Sequence, residues 1–85
     1  MDFLLKRERI VVEVKKTRSN LNQQKVISQL TEDVVRYRTH QDCGVLFCFV
    51  YDPDGICSNP TALENDLTRQ TDGLSVVVRV QPKRS

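Results

Sequence analysis

The sequence contains no apolar run of 18 residues and no basic leader ahead of a long apolar stretch. We therefore expect neither a membrane-spanning helix nor a secretory signal. It also has no internal repeat and no low-complexity segment. With 85 residues, one copy is too small for a barrel, a two-domain dinucleotide enzyme or a large substrate cleft. The remaining possibility is one small domain, residues 1–85, with a single sheet and a helix layer.

Cysteine is scarce, and the three that occur, Cys43, Cys48 and Cys57, make an odd count. An odd count does not suit a disulfide framework, so we expect a reducing, cytoplasmic compartment. The cysteine spacing, with His40 three residues before Cys43, matches no common zinc pattern, so no zinc is expected. The net charge is only +2, but basic residues cluster within residues 6–18. That charge balance neither requires nor excludes a nucleic-acid partner.

The hydrophobic pattern predicts two strands and a helix in the first half of the chain. Residues 2–6 and 10–15 have the apolar and β-branched character of strands. The short link between them predicts an antiparallel hairpin. Asn22 fits an N-cap for a helix from Gln23 to about Arg38. The apolar residues of this helix recur on one face: Val26, Ile27, Leu30, Val34 and Tyr37.

The second half is predicted to form a strand, a short helix and a last strand. Residues 45–51 are continuously apolar, as in a strand covered on both faces. The DPDG segment at 52–55 predicts a turn rather than a calcium loop. Asn59 and Pro60 suit the start of a helix that continues to about Gln70. Residues 74–80 form the last strand, and residues 81–85 form a basic tail.

The predicted element order is therefore β-β-α-β-α-β. The long helix between the second and third strands is a crossover of suitable length for a parallel pair. Together with the antiparallel hairpin, this crossover predicts a mixed sheet. The expected fold class is α/β or α+β.

Three polar residues of the predicted hairpin form the pattern acid, ten residues, Glu-x-Lys. Glu13 and Lys15 are two apart on a strand and therefore point to the same face. A loop of two or four residues aligns Asp2 with Glu13, whereas a three-residue loop would break that alignment. Arg-Glu is a poor two-residue turn, so we favour a four-residue loop at residues 6–9. The numbers of paired residues then add to 15, which places Asp2 opposite Glu13, with Cβ atoms roughly 5 Å apart.

Two facing carboxylates repel each other unless a positive charge lies between them. Mg²⁺ suits such a place because one or two carboxylates commonly hold it, together with water and phosphate oxygens. The backbone carbonyl of Val14 could add another oxygen, and Lys15 could orient or activate the attacking water. These are the parts needed for phosphodiester hydrolysis. The alternative is that all three are solvated charges on an exposed hairpin, although an acid within IVVEV is costly if buried without a partner.

The stretches DFLL and IVVEVKK, followed by a polar loop and a long helix, resemble the central motif of the PD-(D/E)xK nuclease superfamily. The later stretch FCFVYDPDGICSNPTALENDL is similar to the DpnII/MboI-like group, a restriction-endonuclease-like fold. The resemblance implies that Asp2 and Glu13 bind Mg²⁺, with Mn²⁺ as a substitute, and that Lys15 is catalytic. It also implies that DNA is the substrate.

The sequence departs from the superfamily because the helix and first strand that usually precede the motif acid are absent. An acid from that helix is absent with them, so the chain resembles the C-terminal portion of a nuclease domain with a truncated core. The sheet edge thus exposed favours pairing with another chain, and we expect a homodimer. The second hypothesis is a non-catalytic remnant that dimerises or binds nucleic acid weakly.

Five other side chains are candidates for binding roles. Arg9, Lys16 and Arg18 either contact phosphates beside the motif or are solvated loop charges. Tyr37 is expected in the core rather than as a stacking platform. His40 lies at a helix end, where partial positive charge is mildly favoured.

Overall fold

The computed structural model describes residues 2–40, 43–71 and 73–83, and for Asp2 it describes the backbone only. Five strands and two helices occupy these ranges. In chain order they are β1 (Asp2–Leu5), β2 (Ile10–Lys16), α1 (Gln23–Arg38), β3 (Val45–Tyr51), α2 (Pro60–Leu67), β4 (Arg69–Thr71) and β5 (Leu74–Gln81). None of the described helices is long and apolar enough to span a membrane.

The strands form one mixed sheet in the order β1-β2-β3-β5-β4. The three central strands are parallel to one another, while β1 is antiparallel to β2 and β4 is antiparallel to β5. The predicted mixed α/β fold is therefore confirmed. The α1 crossover joins the parallel pair β2 and β3, as its length required.

The first hairpin has the predicted register. Asp2 pairs with Glu13 and Leu5 pairs with Ile10, which leaves the four residues 6–9 as the loop. The loop is closed by a hydrogen bond from the Arg9 amide to the Lys6 carbonyl at 3.2 Å. Arg9 has a φ of 58°, a left-handed conformation that this tight connection requires.

Both helices begin where the sequence predicts. The side chain of Asn22 accepts a hydrogen bond from the Lys25 amide, and that of Asn59 accepts one from the Ala62 amide. These bonds satisfy amides that a helix start leaves without an intrahelical partner. The apolar stripe of α1 is buried at Val26, Leu30 and Val34, and Tyr37 packs against the same core as expected.

The second helix ends at Leu67, so the prediction that it continues to about Gln70 is wrong. The backbone is already extended at Thr68, and its hydroxyl accepts a hydrogen bond from the Val78 amide at 3.0 Å. This contact directs the chain onto β5, where residues 69–71 form the strand β4 that the sequence analysis did not predict. A tertiary contact thus overrides helix propensity here.

Beyond the end of β4, two side chains accept hydrogen bonds from backbone amides on the outer edge of β5. Thr68 accepts from the Val78 amide, and Glu64 accepts from the Val80 amide at 2.8 Å. Lys83 pairs with Glu64 at 2.9 Å. Backbone amides that would otherwise be unpaired at a sheet edge are therefore satisfied by side chains from α2 and its end.

The two faces of the sheet differ. Both helices pack on one face, which we call the helix-covered face. Its buried residues from β2, β3 and β5 alternate along each strand: Val11, Leu46, Cys48, Val50, Leu74, Val76, Val78 and Val80. The opposite face, which we call the open face, is covered by no helix of the described ranges.

Asp52 connects the carboxyl ends of two parallel strands. It is buried just after β3, and its Oδ1 accepts a hydrogen bond from the hydroxyl of Thr17 at 2.6 Å. The amides of Ile56 and Cys57 also donate to this carboxylate. Burial alone would raise the pKa of Asp52, but these hydrogen bonds outweigh it and hold the pKa below its usual value.

We expect Asp52→Asn to lower the free energy of unfolding by about 1–3 kcal/mol at neutral pH. A carboxyl with a depressed folded-state pKa stabilises the protein above its unfolded pKa of about 3.9, and this contribution is lost as pH falls through the folded value. The difference between wild type and variant should therefore shrink on acidification. Urea unfolding at several pH values measures it, with exposed Asp54→Asn as the control. Equal effects of the two substitutions would contradict the assignment.

Candidate active site

Glu13 and Lys15 lie on β2 and face α1. The Glu13 side chain is only 3% exposed and lies between two valines in the middle of the strand. Lys15 Nζ lies 3.5 Å from Glu13 Oε2. The two residues share the helix-covered face, as their spacing predicted, and they are not solvated charges on an exposed hairpin.

Asp2 occupies the predicted place on the neighbouring strand. Its Cα is the partner of Glu13 across the antiparallel pair. Residues directly opposite each other in such a pair direct their side chains to the same face. The Asp2 side chain itself lies outside the described part of the structure. Val14 lies between Glu13 and Lys15 on β2. It is one residue beyond Glu13, where the pairing of β2 with β1 ends.

A second acid, Asp33, reaches this cluster from α1. Its Oδ2 lies 3.2 Å from Lys15 Nζ, and its Oδ1 lies 2.9 Å from Arg36 Nη2. Asp33 is buried, and its Oδ2 is in an ion pair but accepts no hydrogen bond. Arg36 Nη2 also contacts Glu13 Oε1 at 3.3 Å. We refer to Glu13, Lys15, Asp33 and Arg36 as the charge cluster.

The sequence analysis missed Asp33, Arg36 and a third helix residue, Gln29. Gln29 Oε1 accepts a hydrogen bond from Lys15 Nζ at 3.3 Å. These three residues are spaced by four and three, which places them in one stripe along α1. A polar stripe beside the apolar stripe was the available signal, but only the packing of α1 on β2 indicates that it faces Lys15.

The charge cluster contains two acids and two bases, so its formal charge is zero. Burial would lower the pKa of Lys15, but the negative charges of Asp33 and Glu13 outweigh this and raise it above its usual value. Lys15 is therefore protonated throughout the neutral range and cannot accept a proton there. Arg36 is 59% exposed at its side chain, so it closes the cluster from the solvent side.

A small cavity of about 150 Å³ adjoins the charge cluster. It is lined by Phe3, Leu4, Val11, Tyr37 and His40. Val11 lies two residues before Glu13 on the same face of β2. The Arg36 guanidinium stacks over the Tyr37 ring at 4.8 Å, which joins the cavity wall to the cluster.

The candidate phosphate-binding residues are not all together. Lys16 is the last residue of β2 and Arg18 follows that strand, whereas Arg9 precedes its amino end, roughly 20 Å away along the strand. Lys16 lies on the open face, with Nζ 5.9 Å from the Tyr51 ring centroid. The structure thus brings Lys16 and Arg18 to the same end of the sheet and separates Arg9 from them.

The described side chains include no group of three His, Cys, Asp or Glu residues arranged to hold a metal ion. All three cysteines are buried, and none is in a disulfide.

A mixed sheet with the motif acid and the Glu-x-Lys pair on one hairpin is the arrangement of a restriction-endonuclease-like domain. The family model described as REase_DpnII-MboI matches residues 1–83, nearly the whole chain. The chain therefore belongs to the DpnII-MboI family of restriction endonucleases, whose activity is cleavage of DNA. Neither the curated proteins nor the solved structures include a significant match.

We expect Asp33→Asn to lower the pKa of Lys15, because Asp33 contributes more than Glu13 to raising it. The measurement is an NMR titration of the Lys15 side chain. Glu32→Gln, an exposed acid one residue away on α1, is the matched control and should leave the Lys15 titration unchanged. An unchanged Lys15 pKa in Asp33→Asn would show that the two side chains are not paired in solution.

Proposed function

We propose that the chain hydrolyses phosphodiester bonds of DNA with a divalent metal, Mg²⁺ or Mn²⁺. The observation that supports this most directly is the buried pair Glu13 and Lys15, with Asp2 in register opposite Glu13. Membership of the restriction endonuclease family supports DNA as the substrate. The proposal adds which residues act and what each of them does.

Asp2, Glu13 and the carbonyl of Val14 would hold the metal. All three offer the hard oxygen ligands that Mg²⁺ prefers. Asp33 adds a further buried carboxylate to the charge cluster; its Oδ2 accepts no hydrogen bond and lies 3.2 Å from Lys15 Nζ. When bound, the metal polarises the phosphate and lowers the pKa of its water.

Lys15 acts as a cation in this proposal and not as a general base. Its raised pKa keeps the ammonium protonated at neutral pH. It can therefore orient the attacking water through a hydrogen bond and offset negative charge on the phosphorane. Asp33 and Gln29 hold the ammonium in place and act as positioning residues.

Arg36 competes with the metal for Glu13. Its guanidinium contacts the same carboxylate, at 3.3 Å from Oε1. A divalent ion added to a cluster that is already neutral would leave an excess of positive charge unless a cation departs. Arg36 is the mobile candidate because most of its side chain is exposed, whereas Lys15 is 15% exposed.

Two substitutions should change metal affinity in opposite directions. Glu13→Gln should abolish Mg²⁺ binding because it removes a charged ligand. Arg36→Gln should strengthen binding about fivefold, the effect of removing one competing unit charge worth about 1 kcal/mol. Titration calorimetry measures both, with exposed Glu8→Gln as the control. Binding that survives in Glu13→Gln would refute the metal site.

Lys15→Met should reduce cleavage of a long unmodified DNA duplex by at least about 100-fold, because it removes a preorganised charge at the reacting phosphate. Metal binding should persist in this variant. Lys25→Met, on the exposed first turn of α1, is the matched control and should retain activity. Equal activity of Lys15→Met and wild type would exclude Lys15 from the reaction.

One observation favours the second candidate function, a non-catalytic remnant that dimerises or binds nucleic acid weakly. Lys15 and Arg36 already neutralise Glu13 and Asp33, so the cluster is a stable structural element without an ion. This candidate predicts that the folded chain binds no Mg²⁺ and cuts no DNA. The calorimetric and cleavage experiments therefore decide between the two.

The remaining expectations about partners and location stay proposals. Lys16 and Arg18 are proposed to contact DNA phosphates at the carboxyl end of the sheet, and Arg9 at the opposite end. The homodimer expected from the sequence would form by strand pairing through β1, which is an edge strand of the described sheet. Buried cysteines outside disulfides support a reducing, cytoplasmic compartment.

A further inference from the structure

Arg36 is the member of the charge cluster that is most open to solvent. Its side chain is 59% exposed. The side chains of Glu13, Asp33 and Lys15 are only 3%, 10% and 15% exposed. The ring of Tyr37, with its centroid 4.8 Å away, supports the guanidinium in this outer position. The guanidinium is therefore the part of the cluster that a phosphate from solvent contacts most readily.

The phosphate-binding candidates from the sequence are less well placed than Arg36. Lys16 lies on the open face, whereas Glu13 lies on the helix-covered face. Arg9 precedes the amino end of β2, and Arg18 follows the carboxyl end. Arg36 contacts Glu13 directly, with Nη2 at 3.3 Å from Oε1. It therefore combines exposure to solvent with a position beside the proposed metal ligand.

The guanidinium of Arg36 has more donors than its two contacts with acids use. Both contacts involve the same nitrogen, Nη2, which lies 2.9 Å from Asp33 Oδ1 and 3.3 Å from Glu13 Oε1. A guanidinium presents its N–H donors as a planar fork that matches pairs of phosphate oxygens. The contact with Asp33 is the shorter one and joins residues three apart on α1. Arg36 can therefore exchange Glu13 for a phosphate while Asp33 still anchors it.

The charge of the site favours this exchange. The charge cluster is formally neutral, and Asp2 adds a single negative charge by its residue type. With a divalent cation on Glu13 and Asp2, the site has a single excess positive charge. A DNA phosphodiester carries the opposite charge, so Arg36 directed at a phosphate leaves the whole site neutral. Binding of the cation and binding of DNA should then strengthen each other.

We propose that Arg36 binds a DNA phosphate at the charge cluster, and that its ion pair with Glu13 withholds it from DNA in the metal-free chain. The inference rests on the proposed function for its DNA substrate and for the metal at Glu13. It adds a substrate-binding residue on α1, and it makes this residue available to DNA when Glu13 engages the metal. The contact formed is a charge-assisted hydrogen bond, which is stronger than a neutral one.

The salt dependence of DNA binding by the full chain tests the proposal without any metal. Each phosphate contact releases counterions, so the slope of log K against log salt concentration reports the number of contacts. In EDTA, Glu13→Gln removes the charge that holds Arg36, and the slope should steepen by about 0.9. Glu13→Gln combined with Arg36→Gln should restore the wild-type slope. Fluorescence anisotropy of a labelled DNA duplex measures it, and an unchanged slope in a folded Glu13→Gln variant would overturn the proposal.

A second series uses Mg²⁺ and the exposed Arg36 alone, so it does not depend on a change at a buried residue. Arg36→Gln should lower the slope by about 0.9 in Mg²⁺ and leave it unchanged in EDTA. The DNA is checked for intact length after each titration. Arg38→Gln removes the same charge from another side of α1, and its effect should be equal in both buffers.

The two series separate failure of this inference from failure of the proposed function. With Mg²⁺ bound to the wild type, equal slopes of wild type and Arg36→Gln would overturn the inference. If calorimetry shows that the wild type binds no Mg²⁺, the proposed metal site is wrong, and the EDTA series alone decides whether Arg36 contacts DNA. A folded chain that binds no DNA in either buffer, with or without Glu13→Gln, would also overturn the inference.

Discussion

The buried charge of Glu13 is the constraint on which the packing of β2 against α1 depends. An ionised carboxylate that is removed from water is tolerated only with partners. Lys15 provides one from the same strand, and Arg36 provides another from the helix. Because Asp33 contacts both cations, the helix is held with its polar stripe over β2. The orientation of α1 on the sheet is thus linked to the neutralisation of one buried acid.

The same contacts connect the fold to the chemistry proposed for it. A buried ion-pair network adds little stability compared with an apolar core of similar shape. Here the network holds a protonated lysine next to a carboxylate, both on rigid elements. Its solvent-facing member, Arg36, is the one that can leave without uncovering a deeply buried charge.

Elsewhere, buried carboxylates accept hydrogen bonds from backbone amides that have no partner within the sheet. Asp52 accepts the amides of the loop after β3, and Glu64 accepts an amide from the outer edge of β5. Both carboxyls have a depressed pKa, since hydrogen bonds to the charged form outweigh the effect of burial. The two helices cover one side of the sheet, and no helix of the described ranges covers the other.

Local patterns in the sequence determined much of this structure. The hairpin register followed from the length of the loop. Loops of two and four residues both pair Asp2 with Glu13, and Arg-Glu is a poor two-residue turn, which favours the four-residue loop that the structure has. The helix starts followed from Asn22 and Asn59, whose side chains cap them. Only the tertiary structure decided the end of α2 and the identity of β4, since Thr68 is drawn to β5 by a bond to a residue ten positions away. It also decided that Asp33 and Arg36 join the site, because a polar stripe on a helix acquires a role only from the strand against which it packs.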